Sequence, residues 1–371
     1  MSRARQVSQL IGASNTHVVT TPATFSNTVT VANSGITFGD ATVQNTAASG
    51  FGFKNRIING AMVIDQRNGG ASVAYGSTTT AGNYYGYNVD RWWAQSYSTT
   101  AGNGAAFTVQ QSSVAPTGIP SSIVATVTSS QTTLQSDSLY RIQQVIEGYN
   151  VADIGFGSAT ASAVTLSFWV RSNLTGTFTG VLGNDVDYAY PFTYTINAAN
   201  VWQQIVITIP GATAGTWLKN NGKGILIAWC LGAHTSRLGT AGAWVASANY
   251  QGASGQTNFM ATVGNTFYIT GVQLEKGSTA TSFDYRPYTT ELQLCQRYYE
   301  VGDNQLYLPV VAGNAVAAIN FKVTKRASAS ITTVYGNGSA SNVAGSTNGI
   351  TWVYYGTSLV QVNSWTASAE L

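Results

Sequence analysis

The chain is punctuated by short runs in which apolar side chains fall at every second residue, and the Gly, Ser, Thr and Asn clusters between them are too short to hold crossover helices. In VTLSFWV, Val164, Leu166, Phe168 and Val170 share one face of an extended backbone; in QIVITIP, Ile205, Ile207 and Ile209 do the same. Parallel neighbours need a long crossover, so this spacing confines the chain to antiparallel sheets, which bury their apolar faces by packing as a sandwich. GILIAWCL (224–231) is apolar on both faces and is expected at the centre of a sheet, or covered on its outer side by another chain. SLYRIQQVIEG fits a helix or a strand equally well.

The stretch ITGVQLEKGSTATSFDYRPYTTELQLCQRYYE (269–300) reads as the closing strand of one domain running into the hinge of another. Phe267 and Ile269 occupy one face, and Val272 and Leu274 take it over once Gly271 shifts the alternation by one residue, which is the signature of a β-bulge. Residues 277–281 read as a loop, and Pro287 limits any helix before it. A short helix is expected from Thr290, because Thr290 and Gln293 have capping-box spacing and Leu292, Cys295 and Tyr299 recur at i, i+3 and i+7.

Only 8% of the 371 residues are charged, against roughly a quarter in an average globular protein. The surface must be kept polar by hydroxyls and amides. Disorder does not fit 44% hydrophobic and 11% aromatic residues. The 17 basic and 14 acidic residues are spread along the chain, so no nucleic-acid footprint is expected. Cys230 and Cys295 are expected as buried thiols, consistent with folding in a reducing cytoplasm. The arginines of residues 1–12 have no apolar run behind them, and no stretch approaches membrane-spanning length, so neither a signal peptide nor membrane insertion is expected.

Three regions follow from texture. Residues 1–50 hold short alternating pieces, with Phe25, Val29, Val31, Ile36 and Phe38, that cannot form a core alone; they read either as strands shared between copies of the chain or as an unstructured leader. Trp, Tyr and Ile rise sharply from residue 51, opening a main domain to 290. After the hinge, 291–371 gives Ile319, Phe321 and Val323, then 331–335, 351–355 and 359–362, as strands of a small β domain.

Catalysis is weakly supported. Asp185 and Asp187 are the closest acidic pair, but Gly183 and Asn184 beside them indicate a loop. His17 and His234 lie in different domains, so neither a metal pair nor a nucleophilic triad is formed. GFG at 155–157 and GNG at 102–104 lack the rest of a phosphate or dinucleotide motif. Binding is better supported, because sugar rings are recognised by aromatic faces among amides and hydroxyls. Trp217, Trp244 with Tyr250, and Trp352 are the candidates, each open to the alternative of packing at an edge or an interface. Trp92 and Trp93, being adjacent, should face opposite ways, and Trp169 lies opposite the apolar face of its strand.

NRIINGAMVIDQRNGG, VDRWW, VIEGYNVADIGFGSATASAVTLSFWVRSNLTGTFTG, ITIPGATAGTW, and ITGVQLEKG followed by RPYTTELQLCQRYYE resemble a module of bacteriophage tail fibre proteins, over roughly residues 51–299. That module is similar in turn to the carbohydrate-binding jelly rolls appended to glycoside hydrolases, in which first and last strands lie side by side. ITFGDATVQNTA resembles strand-turn pieces of trimeric fibre shafts, and FKVTKRASASITTVY with TASAEL resembles fibre tip domains. The resemblance implies an all-β homotrimeric fibre: an attachment segment at 1–50 held by a baseplate or tail protein, a jelly roll at 51–290, and a β tip domain at 291–371 after a short helical hinge. Such a virion protein would be made in the host cytoplasm and would adhere to host surface polysaccharide. A purely structural tail component and a tail-borne depolymerase are the alternatives. Related jelly rolls that bind calcium usually use a carboxylate near the last strand, where this chain has Thr270 and Gly271; Asn55, Asn59 and Asp65 make an incomplete set, so no metal or other cofactor is expected.

Overall fold

The computed structural model describes residues 36–37, 43–44, 54–77, 80–98, 104–184, 186–247, 249–302, 306–308, 314–355 and 360–371. It divides into two units, Met1–Gly52 and Phe53–Leu371. In the first, β1 (Ile36–Thr37) and β2 (Val43–Gln44) pair antiparallel, with Ile36 opposite Gln44. The other expectations for 1–50, including Phe25, Val29, Val31, Phe38 and His17, lie outside the described residues.

The second unit is built on two six-stranded sheets, antiparallel throughout, that face one another as a jelly-roll sandwich. From edge to edge the first sheet runs β11 (Ala189–Ile196), β10 (Gly176–Gly183), β13 (Lys223–Ala233), β8 (Leu139–Glu147), β5 (Trp93–Ser98) and β4 (Gly82–Tyr87). The second runs β12 (Gln203–Ile209), β9 (Val164–Ser172), β16 (Thr266–Lys276), β7 (Ser122–Ser129), β6 (Ala106–Ser112) and β3 (Val73–Tyr75). A two-residue parallel pair, β14 (Leu238–Gly239) with β15 (Gly252–Ala253), lies beside the first sheet.

The alternation read from sequence is the inner face of the second sheet: Val164, Leu166, Phe168 and Val170 are all buried, as is Ile209. Phe168 meets Trp229 of the opposite sheet edge-to-face at 5.4 Å, and Trp92 lies 5.7 Å from the same ring. SLYRIQQVIEG resolves as strand, because β8 is flanked by β13 and β5 and buried along its whole length. β13 is interior, as its two apolar faces require. Its outward Leu226 and Ala228 pack with Val145, Val181 and Ala189 under Val245 and Leu371, so this chain's own segments provide the cover.

The bulge falls where the alternation shifts: pairing of β16 with β9 slips between Thr270 and Gln273, and Gly271 has φ +58°, a left-handed value that glycine adopts without strain. Phe267, Ile269, Val272 and Leu274 are consequently all buried on one face. β7 pairs with β16 only as far as Ile269. Beyond that point residues 55–60 take its place: Arg56 N donates to Leu274 O at 2.9 Å and Val272 N to Gly60 O at 2.9 Å. The segment lies beside the last strand as the resemblance implied, but it is not itself a strand, since Asn55 meets Val272 O and Leu274 N through its side chain.

The helix α1 (Tyr288–Gln296) starts two residues earlier than the capping-box spacing predicts. Pro287, which precedes the first turn with no amide hydrogen to satisfy, occupies the cap position without a side-chain bond, and Glu291 N reaches back to Pro287 O at 3.0 Å. Cys295 is buried as expected, with Tyr298 rather than Tyr299 completing the buried face beside Ile58 and Ile64. Cys230 is buried too, and neither thiol is bridged.

After the helix, β17 (Tyr299–Gly302), β18 (Leu306–Leu308) and β20 (Ser330–Asn337) all pair with β23 (Val360–Ser368). β19 (Asn314–Asn320) and β21 (Asn342–Gly345) flank β22 (Gly349–Tyr355). The expected strand through Phe321 and Val323 instead ends at Asn320, and Phe321 turns into the small core with Trp352 and Trp365. This core is joined to the sandwich by charge, not by a loose linker. Arg297 makes a two-point pair with Glu147 at 2.9 and 2.6 Å, Tyr298 donates to the same carboxylate at 2.6 Å, and Glu370 is held by Arg67 at 2.7 Å and by Arg91.

Candidate functional site

The four aromatic candidates from the sequence do not form one surface. Trp217 and Trp244 meet edge-to-face at 5.7 Å and close one end of the sandwich with Phe156, Tyr188 and Tyr190. Their indole N–H groups are committed to the chain itself, Trp217 to Ala214 O at 2.9 Å and Trp244 to Pro210 O at 2.8 Å. Burial raises the Tyr190 phenol above its ordinary pKa, in keeping with a packed cluster. Tyr250 is half-buried against β14, close enough that a Cβ on Gly239 would sit 3.0 Å from its ring. Trp352 corrects the expectation for the tip domain: it is fully buried and bonded to Thr333 Oγ1 at 3.1 Å, so it presents no ring face to a ligand.

A better-formed surface lies on the outer face of the second sheet, at the phase opposite the buried alternation. Register places Arg171 of β9, Tyr268 of β16, Val124 of β7 and Gln110 of β6 in one row across four strands. The adjacent row carries Gln204, Trp169 and Thr270. Trp202 packs edge-on against Tyr268 at 6.1 Å, and the Arg171 guanidinium lies 5.1 Å from the centre of the same ring. Arg171 is fixed by donation to Asn200 O at 2.9 Å. Trp169, Arg171, Trp202 and Tyr268 are all half-buried, so each is held by packing while part of its surface meets solvent.

The bulge shapes this platform. At Gly271 a side chain would collide with the Trp169 ring and with Ile119, so the glycine lets the indole lie against the backbone. Beyond the bulge the outer face is closed off. Gln273 bonds Ser282 O at 3.2 Å and Asp284 N at 2.8 Å, Glu275 accepts from Thr281 N at 2.9 Å, and the strap 278–286 thereby covers that end of β16. The result is an open aromatic shelf with amides on it and a wall at one end, which can stack a ring and hydrogen-bond its edge.

Trp169 was visible in the sequence as an outward residue; Trp202, Tyr268 and Arg171 were missed. Their signal was phase: Tyr268 sits between buried Phe267 and Ile269, and Arg171 beside buried Val170. Trp93 is also outward, 5.6 Å from Tyr85 and under Arg141, as its adjacency to buried Trp92 predicts.

Asp187 staples its loop by accepting from Asn184 Nδ2 and from Thr216 N at 3.1 Å, and these bonds hold its carboxyl below the usual range. Asp185 lies outside the described residues. His234 Nδ1 is 2.9 Å from Ser236 Oγ. Asn55 and Asn59 spend their amides on backbone groups, and Asp65 accepts from Asn68 N and Gly70 N. Among the described residues no cluster of three or more His, Cys, Asp or Glu is placed to hold a metal ion, and no helix is long and apolar enough to cross a membrane.

No protein-family model matches the chain, and no curated protein matches it by sequence. Solved structures similar to it include the enzymatically active domain of tailspike protein 4 of bacteriophage CBA120, at 13% identity and a TM-score of 0.30, covering 60% of this chain and 21% of that one. The chain thus spans about a fifth of the tailspike domain's length. A putative sugar-binding protein of Bacteroides thetaiotaomicron is similar at 10% identity and a TM-score of 0.33, over 60% of this chain and 99% of that one. A family 11 carbohydrate-binding module of Clostridium thermocellum, in complex with a β-1,3-1,4-mixed-linked tetrasaccharide, is similar at 11% identity and a TM-score of 0.27, over 54% and 100%.

Proposed function

We propose that this chain is a non-catalytic adhesin of a phage tail fibre that binds polysaccharide on the bacterial surface through its jelly roll. The observation that carries the reading is the outward shelf of Trp169, Trp202 and Tyr268 with Arg171 and Gln204 beside it. Flat aromatic faces desolvate the apolar face of a pyranose, while side-chain amides and a fixed guanidinium bond its hydroxyls. The resemblance of the dispersed motifs to those of tail fibre modules supports the virion setting, with residues 1–50 as the attachment segment, a baseplate or tail protein as its partner and a homotrimer as the assembly. Weak single sites suit such a particle, because three copies per fibre multiply avidity with no new contact.

The test is retention of the full chain on bacterial cells and on their extracted polysaccharide. Saturable binding is expected, without release of reducing ends. A folded protein that binds neither would favour the purely structural reading, which the locked junction between sandwich and tip also suits. Release of reducing ends would instead support a depolymerase.

A further inference from the structure

Beside the strap is a cleft of about 260 Å³, bounded by Phe283, Tyr285, Tyr288 and Pro120, with Asp284 and Glu291 among its polar groups. We infer that this cleft is a second carbohydrate subsite, which takes a single neutral pyranose unit; the inference rests on the adhesin reading above and adds the sugar class.

Tyr285 is 57% exposed and Tyr288 61% exposed, and Tyr285 is fixed in place. The Tyr285 hydroxyl donates to Gly118 O, its ring meets Phe283 edge-to-face at 4.9 Å, and Tyr288 is carried by the first turn of α1. A rigid ring loses little freedom when a sugar stacks on it, so most of the contact energy is kept. The polar side is equally preorganised. Asp284 is held by its N–H to Gln273 Oε1 at 2.8 Å, and its Oδ2 accepts from Lys54 N at 3.1 Å and Asn55 N at 3.2 Å. Oδ1 of the same carboxylate accepts no hydrogen bond from the described residues and is left for a hydroxyl pair. Charge sets the class: two carboxylates, Asp284 and Glu291, are faced by the single guanidinium of Arg286, 3.9 and 3.4 Å away. An anionic sugar would meet net negative charge in a partly desolvated cleft, whereas a neutral one would meet acceptors for its hydroxyls.

The experiment titrates the full chain with the methyl pyranosides of glucose, galactose and mannose and with glucuronic and galacturonic acid, read by saturation-transfer-difference NMR and calorimetry. At least one neutral pyranoside should bind with millimolar affinity, with its ring-face protons saturated, and the Tyr285→Ala/Tyr288→Ala variant should weaken it by about 10-fold or more. Tyr85→Ala, an exposed ring on the edge strand of the first sheet and outside both surfaces, should leave this binding unchanged. If the double variant fails to fold by circular dichroism, Tyr288→Ala alone, a change at an exposed position, takes its place. Equal binding of a uronic acid, unchanged binding by the folded variant, or no pyranoside binding at all overturns the inference. Adhesion of the same chain to cells, measured alongside, separates the failures: adhesion without pyranoside binding removes the cleft alone, and loss of both removes the adhesin reading with it.

Discussion

Gly60 approaches β16 so closely that an added Cβ would lie 2.2 Å from the carbonyl oxygen of Val272, a backbone atom that cannot swing aside. Gly60→Ala must therefore break the bond from Val272 N to Gly60 O or push residues 55–60 off the bulge. A loss of about 2 kcal/mol or more is expected, read as a lower urea midpoint at unchanged slope. Its neighbours show how much strain this corner holds: Asn59, Met62 and Arg91 all have positive φ. They persist because Asn59 is bonded on every side, to Ile64, to Asp90 O and, through its carbonyl, to the Trp92 indole. Asp90 makes a testable contribution of its own. Burial pushes its carboxyl up to about 6 from the ordinary 3.8, against the lowering effect of hydrogen bonds from Gln66. The folded state then holds that proton more tightly than the unfolded chain, so the stability Asp90 contributes is complete below the ordinary value and is lost as pH rises through about 6. Glu147 runs the other way. Burial raises its pKa, but the bonds from Arg297 and Tyr298 outweigh that and leave it lowered, so its contribution is present above the ordinary carboxylate value and fades as pH falls through the folded one. Acidification from about pH 7 to about pH 5 should therefore raise Tm more in the parent than in Asp90→Asn, which loses the titrating group; equal responses would rule this assignment out.

At the scale of elements, the strands were legible wherever one face is buried and the other wet. β9 and β16 announced themselves through Phe168 and Ile269, and the slip at Gly271 announced the bulge. β8 was not legible, because a strand buried on both faces loses its alternation and matches a helix as well. Residues 55–60 lie along β16 without forming a strand for a different reason: beside two backbone bonds, the pairing runs through the Asn55 side chain, which no periodicity encodes. The candidate site was half legible. Outward phase marks Trp169 and Tyr268, but register decides that Arg171 and Tyr268 share a row, and register is a tertiary fact. Trp352 shows the converse error, since an aromatic next to Tyr354 and Tyr355 looks like a tip surface until β22 is flanked by β19 and β21. Trp352→Ala should cost about 3–5 kcal/mol by chemical denaturation, the price of emptying a small core. Trp169→Ala, made at a half-exposed position, should cost well under half of that.

For the molecule as a whole, the sparing use of charge acquires a structural reading. A chain with 8% charged residues places Arg67, Arg91, Glu147, Arg297, Arg326 and Glu370 where sandwich and small domain meet. Lys325 and Glu300 are paired at 2.5 Å and almost wholly enclosed, so removing one partner leaves a buried charge, and Glu300→Ala should destabilise by about 3–5 kcal/mol in thermal or urea unfolding. The pairs of Arg297 with Glu147 and of Arg67 with Glu370 tie the small domain to the sandwich. The proposed trimer adds its own expectation: light scattering should give three times the 39.0 kDa of one chain, and a monomer mass would contradict it. The account turns most directly on the aromatic shelf. The decisive measurement compares polysaccharide binding by the full chain with that of Trp169→Ala/Tyr268→Ala, both shown to be folded, on the extracted surface glycan of the bacterium to which the parent adheres. The account predicts that the parent binds and that the double variant loses about 10-fold or more in affinity. Undiminished binding by the folded variant would contradict it.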